Sequence, residues 1–559
     1  MSLTPTKEQQ DIVDTALAGQ DLRVKAFAGA AKSSTLVMIS EAFDKRGGAV
    51  GMYLAFNKAI AVEAESKFPQ SVECKTVHSL AFKYTPMGLR KKMNYEKILS
   101  RQFATMYDFG MSFLFDEDKS QRVMTIGSKW TMVTRTVAAY CNSDDSELSL
   151  KHVKGLDWMY AKHTYKTDEL KEEILEISKR YWADIIDENS KVPLSHDAYL
   201  KLFSEKGRML PISYLMIDEN QDSSPVILKL ISKLGCQKIY VGDDYQQIYG
   251  WRGAINAMDM VEGTEKYLTK SFRFGNNIQH LANTILKFAG CKVNLEGNGS
   301  DIGQTYTVAP EGWVPNAVIC RTNSGVVKNI FKYAEAYPEK TIGASFDAQS
   351  IYKFVNAFVD ICNGKETTHP LLIAFKTRED VLEYCEDNPD DVEVVNIVAM
   401  IEKFSAATVL AAVKRCESVK KPDIMVTTAH KSKGLEWDRV RMADDFRVLN
   451  KEGLTKNIEE INLLYVAVTR AKVDIDVSGI LLGLDMIAGA VGEQFDFITK
   501  EDAQRLSREL IKSYRKTGIP VDVKLSSMTV LDSDMDIHKL FDELIGDKYA
   551  KGYDQYMED

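Results

Sequence analysis

A lysine followed by two serines, Lys32, Ser33 and Ser34, all candidates for holding a nucleotide, stands where a run of small residues (Ala28, Gly29, Ala30, Ala31) leads, after Thr35, into a stretch of helical periodicity opening with Leu36. Small residues let backbone N–H groups approach phosphate oxygens, a lysine reaches the outer phosphates, and a serine hydroxyl can hold Mg²⁺. The apolar-leaning run from Arg23 to Ala28 predicts a strand before the loop, so strand, loop and helix come in the order of a phosphate-binding loop. The usual pattern GxxxxGK(S/T) has glycine just before the lysine, and here that residue is Ala31. Alanine resists positive φ, so Ala31 is expected either at negative φ or as a weak point in nucleotide binding.

Farther along, the apolar run from Tyr214 to Ile217 leads into Asp218 and Glu219. A strand ending in two carboxylates suits ATP hydrolysis: Asp218 would hold Mg²⁺, directly or through water, and Glu219 would polarise the attacking water. Either signal alone has a bland reading, as a small-residue turn or as an ordinary acidic loop.

The residues around and beyond these carboxylates are more specific. The segment Asp218-Glu219-Asn220-Gln221-Asp222 is followed by Val241-Gly242-Asp243-Asp244-Tyr245-Gln246-Gln247-Ile248-Tyr249-Gly250-Trp251-Arg252-Gly253-Ala254. Together they resemble motifs II and III of superfamily 1 DNA helicases of the UvrD/Rep type, a likeness shared with the helicase part of F-box DNA helicases. Other segments match the family's motifs in order. Leu3, Thr4 and Gln9 resemble the Q motif, Tyr53 to Ala59 motif Ia, Thr76 to Leu80 the next DNA-contacting segment and Lys270 to Arg273 motif IV. Ala317 to Asn323 resembles the strand opening the second motor domain, Thr428 to Trp437 motif V, and Leu464 to Lys472 motif VI.

The resemblance implies an α/β fold with two RecA-like P-loop motor domains, parallel sheets flanked by helices, each carrying an inserted subdomain. It implies ATP and Mg²⁺ as cofactors. Gln9 would read the adenine edge, Phe272 would stack on adenine, Glu436 would accept from the ribose hydroxyls, and Gln246 would sense the γ-phosphate and signal its loss to Tyr249, Trp251 and Arg252. Arg273 and Arg470 lie far along the chain from Lys32, so they can meet the same triphosphate only if a second domain closes on the first. Arginines so placed are worth roughly 10³ to 10⁵ in rate in related chemistry. On the DNA side, an aromatic face offers stacking of about 1 to 3 kcal/mol per base whatever the base. Trp251 is the first candidate. Phe56, Asn57, His78 and His430 lie in segments that line the strand in the family, and Lys58 and Lys433 offer phosphate contacts. His78 and His430 read equally well as structural histidines.

At 559 residues the chain is long enough for three or four domains. Apolar residues at 45% and charged residues at 27% are ordinary for a globular protein, and a net charge of -9 confines any DNA contact to a local basic groove. The eight cysteines are scattered without a CxxC pair, which fits neither a zinc site nor a disulfide framework. The opening MSLTPTKEQQ lacks a signal-peptide core, and no run approaches about 18 apolar residues. A soluble cytoplasmic protein is expected, nucleoid-associated or in a host cytoplasm if viral, with no membrane partner.

Motif spacing divides the chain into motor domain 1A (1–90 and 205–280), a mostly helical, charge-rich insertion 1B (91–204), motor domain 2A (281–330 and 421–485), a short insertion 2B (331–420) and a polar, helix-like C-terminal extension (486–559). The expected activity is a helicase that moves on single-stranded DNA, 3′ to 5′ by the resemblance, with single strands, strand–duplex junctions and proteins of replication, repair or recombination as partners. Two other readings stay open: a DNA-stimulated ATPase that translocates or remodels protein–DNA complexes without unwinding, and a regulatory subunit with weak turnover. No carboxylate-lysine nuclease cluster comes after motif VI.

Overall fold

The computed structural model describes residues 4–506 apart from 56, 97, 116–120, 154–166, 208, 251–255, 374, 388–390, 451–452, 456 and 504. The chain forms two compact units, residues 1–26 with 31–268 and residues 27–30 with 269–559. They part at Leu268, whereas motif spacing put the first domain's end near 280.

The first unit is built on six strands, β1 (Leu22–Ala26), β2 (Gly51–Ala55), β3 (Val72–Thr76), β4 (Tyr214–Ile217), β5 (Gln237–Gly242) and β6 (Thr264–Leu268). They pair in the order β3-β2-β4-β5-β1-β6, every pair parallel. A parallel sheet is covered on both faces, so its central strands are continuously apolar. All four residues of β4 are buried accordingly. Helix α1 (Lys7–Leu17) opens on a capping box in which the Thr6 hydroxyl accepts from Gln9 N and the Gln9 side chain accepts from Thr6 N. Helices α2 (Lys32–Arg46) and α3 (Lys58–Glu65) come after β1 and β2. Because all six strands run the same way, the loops after β1 to β5 emerge along one edge, where open α/β sheets carry their ligand sites.

The segment between β3 and β4 includes α4 (Val77–Lys83), α5 (Ile126–Asn142) and α6 (Thr167–Ile186), and one antiparallel hairpin of Ser112–Phe115 with Gln121–Met124. Its core is aromatic: Phe103 stacks on Trp130 with ring centroids 3.6 Å apart, and Tyr181 meets that ring edge-on at 4.8 Å. Lys92, fully buried, donates to the carbonyls of Asp184, Ile185 and Asp187 at 2.7, 2.9 and 2.6 Å and so caps the end of α6.

The second unit repeats the plan. Strands β7 (Thr305–Tyr306), β8 (Ala317–Cys320), β9 (Ile342–Ser345), β10 (Ile424–Thr428), β11 (Trp437–Met442) and β12 (Ala471–Asp476) pair in the order β9-β10-β8-β11-β12-β7, again all parallel. Strand β9 lies inside 331–420, the stretch expected as an insertion, and is an integral member of this sheet. The insertion that does separate β9 from β10 is helical: Ala348–Cys362, Arg378–Asp387, Val392–Phe404 and Ala406–Ser418. Helices α7 (Asn276–Phe288), α8 (Ile458–Val468) and α9 (Leu481–Ala490) pack together on the sheet. The C-terminal extension is expected to be polar from 486 on; α9, which runs into it, is instead apolar and mostly buried, because it completes this core. Among the described residues no single helix is long and apolar enough to cross a membrane.

Candidate active site

In the first unit, four chemically matched side chains converge where β1 and β4 end. Lys32 opens α2 and places its Nζ 2.9 Å from Glu219 Oε1. Ser33 Oγ lies 3.4 Å from Asp218 Oδ2. Ala31, the residue before the lysine, adopts φ 55° and ψ 39°, in the left-handed region, so it is not at negative φ; a loop that brings its amides round to one point needs that turn, glycine or not. Ser33 and Ser34 are exposed at the head of α2.

Electrostatics mark the cluster as short of positive charge. Burial and the adjacent Glu219 push the Asp218 carboxyl above its ordinary pKa, against the pull of Lys32 and the Tyr53 hydroxyl. Burial works against the charge on Lys32 too, but Glu219, Asp243 and Asp218 outweigh it and hold its pKa above the usual lysine value. Asp243, also buried, is pushed up to about 6. Three carboxylates around one lysine, with the Ser33 hydroxyl beside Asp218 Oδ2, suit a hard, oxygen-seeking cation such as Mg²⁺, which Ser33 and Asp218 could hold.

Residues to which sequence reasoning assigned no role tie the cluster together. Tyr53 on β2 donates to Asp218 Oδ2 at 2.8 Å. Gln221 donates to Glu219 Oε2 at 2.6 Å and accepts from Asp243 N at 3.0 Å. Asp243 in turn accepts from Gln246 Nε2 at 2.6 Å, which brings Gln246 into the group. Gln9 donates to Thr35 Oγ1 at 3.1 Å, so besides capping α1 it braces the loop's helix. Gln221 and Asp243 stand inside the segments that resemble motifs II and III, and Tyr53 opens the one that resembles motif Ia, so all three were findable there, although nothing in the sequence pairs Tyr53 with Asp218.

Of the candidate strand-contacting residues in this unit, Asn57 caps α3, accepting from Ile60 N at 2.9 Å, and Lys58 is exposed beside it. His78 is half-buried, with His196 and Tyr199 edge-on at 6.3 and 5.9 Å; burial lowers its pKa, and its Nδ1 has no hydrogen-bond partner among the described residues. Tyr249 is half-buried. Phe56, Trp251 and Arg252 lie outside the described residues.

The second unit holds the remaining candidates. Arg273 donates from Nε to Glu436 Oε2 at 2.7 Å and from Nη1 to the Thr469 carbonyl at 3.0 Å. Arg470 is almost fully buried and donates to the Val466 carbonyl at 2.8 Å and to Thr469 Oγ1 at 3.1 Å. Glu436 and Arg470 immediately precede β11 and β12, so this group gathers at the amino edge of the sheet, opposite the edge where His430 comes after β10. His430 and Lys433 are half-buried. Phe272 is 50% exposed, an unusual state for a phenylalanine, with Lys270 Nζ 5.9 Å from its ring centroid. Of the loop residues Ala28, Gly29 and Ala30, Gly29 accepts from Phe272 N at 2.9 Å and Ala28 N donates to the Tyr465 hydroxyl at 3.0 Å. Gly29 has φ +73°, and a Cβ there would lie 2.5 Å from Ser271 Oγ, so the position admits only glycine.

The UvrD/REP helicase N-terminal domain matches residues 6–262, and the UvrD-like helicase C-terminal domain matches residues 256–480. F-box DNA helicase protein 1 of Schizosaccharomyces pombe is 29% identical over 510 residues, 84% of this chain and 56% of that protein. F-box DNA helicase 1 of Gallus gallus is 29% identical over 563 residues, 94% of this chain and 53% of that protein. A probable DNA helicase II homolog of Mycoplasma pneumoniae is 29% identical over 126 residues, 20% of this chain and 17% of that protein. The chain thus spans just over half the length of the two F-box DNA helicases.

Proposed function

Since the chain belongs to the UvrD-like helicase family, we propose that it is an ATP-driven DNA helicase that travels along single-stranded DNA and separates duplex. The observation that carries the reading is the group of Lys32, Ser33, Asp218 and Glu219 at the carboxyl edge of the first sheet. Lys32 would exchange Glu219 for the outer phosphates of ATP, and Glu219, once released, would accept a proton from the attacking water. Ser33 and Asp218 would hold Mg²⁺, which when bound neutralises charge on the phosphates. Gln246 would report the γ-phosphate, and Arg273 and Arg470 would offset charge developing on the transferred group.

Phe272, an exposed ring, would stack on adenine, and Glu436, an exposed acceptor, would take the ribose hydroxyls. Single-strand binding through Phe56, Asn57, Lys58, His78, Tyr249, Trp251, Arg252, His430 and Lys433, 3′ to 5′ travel, service in replication, repair or recombination, and a cytoplasmic location belong to the same proposal.

The test is the rate of phosphate release at fixed salt with single-stranded DNA, duplex DNA and RNA, followed by strand displacement on duplexes with 3′ or 5′ tails. Single-stranded DNA is expected to stimulate best, and the 3′-tailed duplex to open. Lys32→Ala is expected to abolish turnover; unchanged turnover would remove the phosphate-loop assignment. Hydrolysis without displacement of either tail would leave a translocase in place of a helicase.

A further inference from the structure

We propose that Gln221 is the positioning residue that aims the Glu219 carboxylate and ties it to the Gln246 side chain; this rests on the ATP-hydrolysing reading above. Gln221 is completely buried, in the single turn Asn220–Asp222 that comes after Glu219. Its two ends do different work at once, Nε2 donating to Glu219 Oε2 at 2.6 Å and Oε1 accepting from Asp243 N at 3.0 Å. Asp243 Oδ2 then accepts from Gln246 Nε2 at 2.6 Å. A continuous chain of hydrogen bonds thereby links the ends of β4 and β5, from the candidate base to the candidate γ-phosphate sensor.

Three features make the amide specific. A carboxylate beside Glu219 and Asp243 would add repulsion and lose the donor, while an apolar side chain would lose both bonds; a neutral group that donates at one atom and accepts at its neighbour is an amide. The space is shaped for it, since a Cβ on Gly242 would come within 2.5 Å of Gln221 Oε1. Glu219 itself sits at φ 52°, a left-handed backbone that persists in a non-glycine residue only when its surroundings hold it there.

The chemistry gives Gln221 its moment. In this structure Lys32 and Gln221 each take one Glu219 oxygen. When Lys32 turns to a bound triphosphate, Gln221 is a donor that stays, and it keeps the freed Oε1 pointed in a fixed direction. The same bond means that a shift of Gln246 on loss of the γ-phosphate reaches Glu219 through Asp243 and Gln221.

The test is a double-substitution cycle in the full chain, read as single-turnover ATP hydrolysis on single-stranded DNA. Gln221→Met is expected to lower the rate roughly 10- to 100-fold, as misaimed catalytic groups do, with the KM for ATP within about threefold of wild type. In a Glu219→Gln background the same substitution is expected to change the rate less than about twofold, because residues acting as one unit are not additive. Gln221→Glu, nearly isosteric, is expected to fall at least as far as Gln221→Met and carries the test should the methionine variant unfold. Equal losses in both backgrounds, or a loss confined to KM, would overturn the inference. A wild-type chain that hydrolyses no ATP would instead sink the reading beneath it.

Discussion

Ala31 shows how a residue's backbone decides what its side chain costs. It holds a left-handed conformation that alanine enters only against steric resistance of roughly 1 to 2 kcal/mol. Ala31→Gly is therefore expected to raise stability by about 1 kcal/mol and to leave nucleotide affinity equal or tighter. Thermal unfolding with and without ATP checks both; a lower midpoint would mean that the methyl group packs usefully. Sequence alone made Lys32, Ser33, Asp218 and Glu219 legible, because each pair is adjacent in the chain and its chemistry is local. The bond from Tyr53 to Asp218 was not legible: it spans 165 positions and exists because β2 and β4 lie side by side with Tyr53 opposite Met216. Nor could spacing reveal that Gln9 and Asn57, marked as ligand-reading residues, also serve as helix caps.

At the scale of elements, the resemblance to UvrD/Rep-type helicases implies parallel sheets, and both six-stranded sheets are parallel throughout. Strand β9 escaped notice because Ile342-Gly343-Ala344-Ser345 has small residues and one branched side chain, a poor strand signal overridden by pairing with β10. Buried lysines were equally opaque. Lys92 reads as one of several surface charges in Arg90-Lys91-Lys92, yet it supplies the last turn of α6 with three hydrogen bonds. Lys92→Met is expected to strand those carbonyls and to cost about 3 kcal/mol. Amide exchange should quicken in the final turn of α6 first, and uniform exchange across the helix would contradict the capping role.

At the scale of the whole molecule, nearly the entire first unit comes from one continuous stretch, residues 1–268. That stretch contains Gln9, Lys32, Ser33, Asp218, Glu219 and Gln246 but lacks Arg273, Glu436 and Arg470. A fragment of residues 1–268 is expected to unfold cooperatively and bind ATP weakly, while hydrolysing it at least about 10³-fold more slowly than the full chain. Calorimetry and phosphate release measure this, and undiminished turnover would show that the two arginines are dispensable. The second sheet carries a different lesson. Glu436 and Arg470 stand at one rim and His430 at the other, separated by strands of five or six residues, about 17 to 20 Å. A close-packed sheet has little internal give and transmits strain, so a changed contact at one rim is felt at the other across the whole length of the strands.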